Sequence, residues 1–228
     1  MGTGIATRVT RSIMTVVIDK DLRASFGPAR DQDPRPTCMA FAASDAHAGV
    51  RPRWQPLSVE WAYYYALKRD GGVPHAGATM DGMLEALRLD GQPEEKAWPY
   101  IATMFTDMSV WVPPKANPVY RRESMLQPPT VDAMIAALNA DDPVLFTMSI
   151  SKSFFNPRSD GVIDATEPLE PKRIHALVAV GHGHRQRETF VLARNSWGED
   201  WGMEGHGWVA ADYLRPRLRR AAIMGGDR

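Results

Sequence analysis

The hydrophobic pattern changes period about half-way along the chain, and this change constrains the fold more than any other feature. Up to Asn139, apolar residues recur at helical spacing in segments that begin with capping residues. From Val144 onward, apolar and polar residues alternate or form short apolar runs, as strands do. Helices and strands that are separated in this way predict an α+β fold, with two unlike lobes and a cleft between them.

The predicted elements follow from this pattern and from the turn residues that bound it. Residues 21–37 are a predicted loop because prolines interrupt them, and the stretch from Pro93 to Pro118 is predicted to be irregular for the same reason. Thr37, Ser58 and Thr130 are predicted N-caps. The predicted helices start at Cys38, run from about Ser58 to Gly71, cover about 79–90 and cover Val131 to Asn139; the predicted strands are Val144–Ile150, His175–Val180, Thr189–Arg194 and a segment near Gly207–Val209.

The chain of 228 residues is predicted to form one domain, 1–228. Residues 21–115 are assigned to the helical lobe and 116–215 to the β lobe. Residues 1–20 are assigned to an N-terminal arm that contains a strand, and 216–228 to a tail. The basic run from Arg215 to Arg220 is interpreted as a solvated face rather than a binding surface.

Composition excludes several classes of function. Lys plus Arg and Asp plus Glu both number 27, so no basic excess points to nucleic acid. No apolar run reaches the roughly 18 residues of a membrane span, and Ile13 to Ile18 is too short for a signal sequence. A single cysteine rules out an intramolecular disulfide. We therefore expect a cytoplasmic protein with no nucleic-acid or membrane partner.

Cys38 is the candidate nucleophile. The thiolate is the reactive form of cysteine, and the partial positive charge of a helix N-terminus lowers the thiol pKa. Cys38 stands at the start of a predicted helix. Taken alone, such a cysteine is more often an inert buried residue, so the interpretation needs partners.

The sequence offers those partners. His175 opens an apolar strand that would hold its ring and is the candidate base. Asn195 ends the next strand, so a hairpin would bring it beside His175 to orient the imidazole. Trp197 could then cover their hydrogen bond. Gln32, in the loop before Cys38, is the candidate donor to the oxyanion.

His182 and His184 suggest a metal pair, but no third ligand lies near them in the sequence. They are better interpreted as solvent-facing residues of a turn. We predict no metal and no cofactor.

At these positions the chain resembles the papain-like cysteine peptidases. Asp31 to Phe41 resembles the glutamine loop and nucleophile helix of that family, and His175 to Gly181 resembles its histidine strand. The run from Asn195 to Gly205 resembles its asparagine motif, which is highly specific. His175 and Asn195 also follow Cys38 at close to the family's spacing of about 130–150 residues.

Shorter similarities extend the resemblance to about residues 20–215 and are typical of the stand-alone bacterial and archaeal branch. They lie at Asp21–Arg23, Leu57–Tyr65, Gly91–Tyr100 and Pro143–Phe154. The resemblance implies the family's two-lobe fold, with a helical N-terminal lobe, a C-terminal lobe built on an antiparallel β-sheet or barrel, and the active site in the cleft between them.

The sequence departs from the family pattern close to the nucleophile. Asp33 stands where the family usually has glycine, and Met39 where it has tryptophan. Pro34 to Thr37 replaces a segment that usually contains glycine and often a disulfide cysteine. These changes spare the four candidate catalytic residues and concern the wall of the cleft, and with it substrate preference.

The resemblance also implies residues that contact substrate. Gly77 is the candidate for the family's substrate-pairing glycine, although a simple turn explains a glycine there equally well. Ile174 is expected either to line the cleft or to pack in the core. Only 37 residues precede Cys38, which leaves no room for an inhibitory pro-segment, so a regulatory protein partner is a possible restraint.

The predicted function is hydrolysis of peptide bonds in a protein or peptide substrate, through a Cys–His–Asn triad and a thioester acyl-enzyme. Two alternatives stay open. One is a thiol amidase, deamidase or transpeptidase that uses the same residues on a special substrate. The other is a catalytically inactive binding module that keeps the fold.

Overall fold

The structure, a computed structural model, describes residues 15–104, 108–164 and 166–227. The helices are α1 (Cys38–Gly49), α2 (Val59–Asp70), α3 (Met80–Leu89), α4 (Val131–Asn139), α5 (Lys152–Phe155) and α6 (Ala211–Leu214). The strands are β1 (Val17–Asp21), β2 (Arg122–Gln127), β3 (Val144–Ser149), β4 (Val162–Ile163), β5 (Ile174–Arg185), β6 (Glu188–Arg194), β7 (His206–Ala210) and β8 (Leu218–Asp227). The predicted α+β class is confirmed.

Helix α1 lies at the centre of the molecule. Every residue from Met39 to Gly49 is buried, because α1 packs between α2 on one side and β5 on the other. A helix that is enclosed on all sides must be apolar nearly all round, and α1 is, apart from a few polar residues that find buried partners. The nucleophile candidate Cys38 therefore starts a rigid element held by both halves of the fold.

Two of the three predicted N-caps form. The hydroxyl of Ser58 accepts a hydrogen bond from the Trp61 amide at 3.2 Å, and Gly71 ends α2 in the left-handed conformation that suits glycine. Thr130 caps α4 in the same way. Thr37 occupies the N-cap position of α1, but its side chain does not cap the helix.

The strands form one sheet in the order β2-β8-β3-β5-β6-β7-β4, with β1 added alongside β5. All described pairs are antiparallel except β4 with β7. The sheet stays open, so the barrel that was considered as one form of the second lobe does not form. Strand β5, together with parts of β3 and β8, packs its apolar residues against α1.

The register of the central hairpin brings the two candidate partners of the thiol together. In the antiparallel pair of β5 and β6, Val178 lies opposite Arg194. The start of β5, with His175, therefore lies beside the end of β6, which Asn195 follows. This is the arrangement that the hairpin prediction required.

The C-terminal end of the described chain differs from the sequence assignment, whereas the strand expected in the N-terminal arm forms as β1. The predicted tail, 216–228, instead contributes β8, whose Ala221, Ala222 and Met224 are buried in the sheet. The strand was not predicted because arginines stand near its start: Arg219 donates to the Ser149 hydroxyl, and Arg220 pairs with Asp81. At the other end, β1 pairs with β5. Residues 1–14, including the start of the Ile13–Ile18 run, lie outside the described residues.

Strand β2 was missed for a related reason. It is an edge strand with a mostly polar sequence, and Met125 and Leu126 are both exposed. No alternating apolar face marks it in the sequence. Among the described residues, none of the helices is both long and apolar enough to cross a bilayer.

Candidate active site

The thiol of Cys38 lies at the N-terminus of α1, beside the start of β5. Backbone amides of Ala176, Met39 and Cys38 itself lie close enough to the thiol to lower its pKa, and two of these amides belong to the first turn of the helix. Ala176 directly follows His175. The nucleophile candidate from the helical half and the base candidate from the sheet are thus brought into one site, and Cys38 stays partly accessible.

The His175 ring is buried and bonded to Asn195. Its Nε2 lies 2.7 Å from Oδ1 of Asn195. The same oxygen also accepts the Ser196 amide at 2.8 Å, and an amide N–H can only donate. The acceptor is therefore oxygen, and Nε2 must carry the proton that it donates. This tautomer leaves Nδ1 as the ring nitrogen that can accept a proton.

Aromatic rings enclose the imidazole. The Trp197 ring lies 4.6 Å from the His175 ring, centroid to centroid, and covers it as the sequence predicted. Phe154 approaches the imidazole edge-on at 6.1 Å, and Phe155 stacks on the outer face of Trp197. Rings on both sides restrict water around the His175–Asn195 hydrogen bond, and exclusion of water strengthens it.

Gln32 is buried, and two contacts fix its side chain. Oε1 accepts the hydroxyl of Ser196 at 2.7 Å, and Nε2 donates to the carbonyl of Arg35 at 2.9 Å. A primary amide has two N–H groups, so Nε2 keeps a second donor. The side chain is therefore held in one orientation with one donor to spare.

Backbone pairing ties the Gln32 segment to the Asn195 segment. The Gln32 amide donates to the Ser196 carbonyl at 2.9 Å, and the Gly198 amide donates to the Arg30 carbonyl at 3.1 Å. Asp31 forms a β-bridge with Trp197 between these two bonds. A change in either segment is therefore transmitted directly to the other.

Burial shifts the pKa of each reactive group in the direction that favours its neutral form. It raises the pKa of the Cys38 thiol, although the amides of Ala176, Met39 and Cys38 oppose this. It lowers the pKa of His175 to about 4, although the hydrogen bond with Asn195 opposes this. Burial alone therefore favours the neutral form of each group.

Comparison with known proteins identifies the family. A sequence profile described as papain family cysteine protease matches residues 68–217, more than half of the chain. The chain belongs to the papain family of cysteine proteases. The matched segment contains His175 and Asn195 but begins after Gln32 and Cys38.

Individual relatives are distant. Cathepsin R of Mus musculus is 24% identical over 220 residues, which cover 92% of this chain and 65% of cathepsin R. Cathepsin K of Gallus gallus is 27% identical over 184 residues, which cover 78% of this chain and 54% of cathepsin K. The chain spans less than two thirds of the length of these curated relatives.

Solved structures share the fold. Xylellain, a cysteine protease from Xylella fastidiosa, superposes with a TM-score of 0.73 and 21% identity, covering 98% of this chain and 95% of xylellain. The Amb a 11 cysteine protease, a ragweed pollen allergen in its proform, superposes with a TM-score of 0.74 and 19% identity, covering 94% of this chain and 68% of that protein.

The three residues expected to contact substrate lie in different settings. Ile174 is 56% exposed directly before His175, so the alternative of core packing is wrong. Trp197 lines an open cavity of about 450 Å³ together with Phe155 and Asp200. Gly77 lies in an exposed loop, and nothing within 4 Å would obstruct a side chain there, so packing does not explain the glycine.

The loop that contains Gly77 is attached to α2 through Tyr63. The phenol donates to the carbonyls of Pro74 and Ala76, at 2.9 and 2.6 Å. Burial raises the pKa of this phenol, and the charge of Arg35 partly opposes the shift. The loop is thus fixed to a helix of the helical half.

The two histidines once considered as a metal pair have structural partners. Both lie within β5 rather than in the turn. His182 is buried and its Nε2 contacts Asn139 Oδ1 at 2.8 Å, so the expectation that it faces solvent was wrong. His184 is exposed and pairs with Asp19 at 2.9 Å. Across the described ranges, no cluster of three or more metal-ligating side chains occurs.

The sequence did not predict the residues that bind the candidate catalytic residues and the segments next to them. Ser196 holds both Asn195 and Gln32, and it was noted only as part of a motif. Asp45 and Glu60 are buried carboxylates that bind arginines from the catalytic segments. Their only signal in the sequence is an acidic residue within an otherwise apolar helix, which predicts burial of a charge but not its partner.

Proposed function

We propose that the protein is a cysteine peptidase that hydrolyses peptide bonds through Cys38, His175, Asn195 and Gln32. One observation supports this most strongly: Nε2 of the buried His175 ring lies 2.7 Å from Asn195 Oδ1, which leaves Nδ1 free, and the backbone amide of the adjoining Ala176 lies close enough to the Cys38 thiol to lower its pKa. A thiol beside a base that a third residue orients is the arrangement that nucleophilic catalysis needs.

In the first half of the reaction, the proton of the thiol moves to His175 Nδ1 and the sulfur attacks the peptide carbonyl carbon. A C–S bond forms, and the carbonyl electrons move onto oxygen. The Cys38 amide and the second N–H of Gln32 donate to this oxyanion. The C–N bond then breaks as His175 gives its proton to the leaving amine, which leaves a thioester.

In the second half, water replaces the amine. His175 Nδ1 takes a proton from the water as its oxygen attacks the thioester carbonyl. The C–S bond breaks, the carboxylic acid product leaves and the thiol is regenerated. Asn195 keeps the imidazole in the orientation that both halves require.

The pKa shifts explain why the pair must act together. Burial makes a lone thiolate and a lone imidazolium unfavourable, so each charge forms only with the other as its counterion. The two groups then titrate as a pair. We expect a bell-shaped dependence of kcat/KM on pH that neither residue produces by itself.

The test is a cleavage profile on a library of fluorogenic peptides and on casein, with Cys38→Ala as the matched control. We expect turnover that needs a thiol reductant, is unaffected by chelators and is absent in Cys38→Ala. Turnover that persists in the control would contradict the proposal.

The same experiment separates the alternatives. Hydrolysis or transfer at side-chain amides only, with no cleavage of peptide bonds, would favour a thiol amidase, deamidase or transpeptidase. No turnover, together with a Cys38 no more reactive than free cysteine, would favour an inactive binding module.

A further inference from the structure

We propose that Asp45 is a positioning residue that couples the nucleophile helix, the oxyanion loop and the asparagine segment. This inference rests on the proposed function, because it assigns Asp45 a role in that reaction. The argument starts from the place of Asp45 on α1, about two turns after Cys38 and so on the same side of the helix.

The carboxylate of Asp45 is buried, and its two oxygens bind two different segments. Oδ1 accepts from Nε and Nη2 of Arg30, at 3.0 and 2.6 Å. Oδ2 accepts from Nε of Arg194 at 2.7 Å. Only 4% of the Asp45 side chain is exposed, so water cannot replace these partners.

Arg194 connects Asp45 to the candidate base His175 through Asn195. Arg194 directly precedes Asn195 and its side chain is fully buried. Its other donors reach the carbonyls of Gly27 and Pro28, at 2.9 and 2.7 Å. The position of the Asn195 backbone is thus set by a side chain that Asp45 holds, and Asn195 in turn orients His175.

The Arg30 arm leads to the oxyanion site. Arg30 precedes Asp31 and Gln32 in the chain, and its carbonyl accepts the Gly198 amide. Its side chain also reaches the Leu57 carbonyl at 3.1 Å. Asp45 therefore fixes the start of the segment that carries Gln32, the proposed donor to the oxyanion.

The charges favour a coupling role over simple stabilisation. Asp45 is the carboxylate that both arginines share; Arg30 also pairs with Glu95 at 3.5 Å, and Arg194 also donates to the carbonyls of Gly27 and Pro28. Burial alone would raise the pKa of Asp45, but Arg30 and Arg194 outweigh burial and hold the pKa below its usual value. If Asp45 is neutralised, both arms lose their shared counterion at once, and the three segments are no longer fixed relative to one another.

The experiment uses Asp45→Asn, which keeps the shape of the side chain and removes its charge. Kinetics on the best library peptide are expressed per active site, titrated with an epoxysuccinyl reagent. We expect kcat to fall about 100-fold with KM nearly unchanged, because a displacement of about 1 Å of catalytic groups costs roughly that much. Asp81→Asn, which removes the exposed pair between Asp81 of α3 and Arg220 of β8, is the control and should keep wild-type kcat.

A second readout needs no substrate. The rate at which iodoacetamide alkylates Cys38 is measured against pH. In Asp45→Asn and in Arg194→Gln, we expect the profile to move toward that of free cysteine, with a pKa of about 8.5, since Asn195 no longer fixes His175. In Arg30→Gln the profile should stay at its wild-type position while kcat falls. This variant loses only the contact of Asp45 with the segment that leads to Gln32.

These outcomes separate the two proposals. Wild-type Cys38 that is no more reactive than free cysteine would overturn the proposed function itself. Reactive wild-type Cys38, with kcat and alkylation profile unchanged per titrated site in Asp45→Asn, would overturn the role of Asp45 alone. If Asp45→Asn does not fold, Arg30→Gln and Arg194→Gln carry the test. Wild-type kcat and a wild-type alkylation profile in both of these variants would contradict the role of Asp45.

Discussion

Two buried carboxylates support the catalytic segments, and they do so in different ways. Glu60 binds Arg35 in a bidentate pair at 2.7 and 2.9 Å, and it also accepts from the Ile101 amide and the Trp111 indole. All these partners lie in the helical half. Asp45 instead binds one arginine from the loop before α1 and one from β6.

The difference teaches how stability and catalysis divide between the two regions. Glu60 and Arg35 are both fully buried and neutralise each other within one half of the molecule. Asp45 joins elements from both halves, because it binds both Arg30 and Arg194. We therefore expect changes at Glu60 to act mainly on folding, and changes at Asp45 mainly on the alignment of the reacting groups.

Glu60→Gln should produce the largest effect on stability. It leaves the fully buried Arg35 guanidinium without its counterion, and loss of one member of a buried pair costs about 3–5 kcal/mol. Urea denaturation measures the free energy of unfolding. Asp212→Asn is the control, because its exposed pair with Arg215 contributes at most about 1 kcal/mol. An equal loss of unfolding free energy in the two variants would contradict the stabilising role assigned to Glu60.

Gln32→Ala tests the oxyanion arm directly. It removes the side-chain donor and should lower kcat about 10²–10³-fold, with little change in KM. Steady-state kinetics per titrated site give the measurement. Ser196→Ala, which only releases Oε1 of Gln32, should cost less. A larger loss in Ser196→Ala than in Gln32→Ala would show that Gln32 is not the donor.

Tyr100→Phe tests whether the loop that carries Gln32 also depends on a contact other than those of Asp45. The phenol donates to the Gln32 carbonyl at 2.6 Å and contacts the Thr37 hydroxyl at 2.9 Å. Removal of such a neutral hydrogen bond should cost about 1 kcal/mol of unfolding free energy. If kcat instead falls as far as in Gln32→Ala, the oxyanion loop depends on this contact as well as on Asp45.

The smallest effect is a pH dependence of stability from His47, also on α1. Burial lowers the pKa of His47 to about 3, well below the value of about 6.5 in the unfolded chain. Below pH 6.5 the unfolded state therefore binds the proton first, and stability falls as pH falls. Thermal unfolding between pH 7 and 6 should show a loss below about 1 kcal/mol from this residue, reduced in His47→Gln. An unchanged slope would contradict the shift.

The sequence predicts the elements with strong local signals. Helix α1 begins at Cys38, and α2 is capped at Ser58, as expected from the local pattern of caps and apolar residues. The hairpin of β5 and β6 follows from two apolar runs joined by a polar turn. Strands β2 and β8 were not predicted because β2 is mostly polar and β8 begins with arginines, so neither shows an alternating apolar pattern.

Contacts between distant segments could not be predicted. Arg194 and Asp45 are 149 positions apart, and no local pattern states that they will meet. Thr37 was expected to cap α1, but its hydroxyl binds Tyr100 instead, a partner that only tertiary structure supplies. The roles of the four candidate catalytic residues, the cytoplasmic location and a regulatory partner stay predictions.

The most direct test of the central claim compares how fast iodoacetamide alkylates Cys38 at pH 6 in the wild type and in His175→Ala. Peptide mapping by mass spectrometry confirms the modified residue. We expect rapid alkylation in the wild type and almost none in His175→Ala, because burial then keeps the thiol protonated well above pH 6. Equal rates in the two proteins would show that the imidazole does not activate the sulfur.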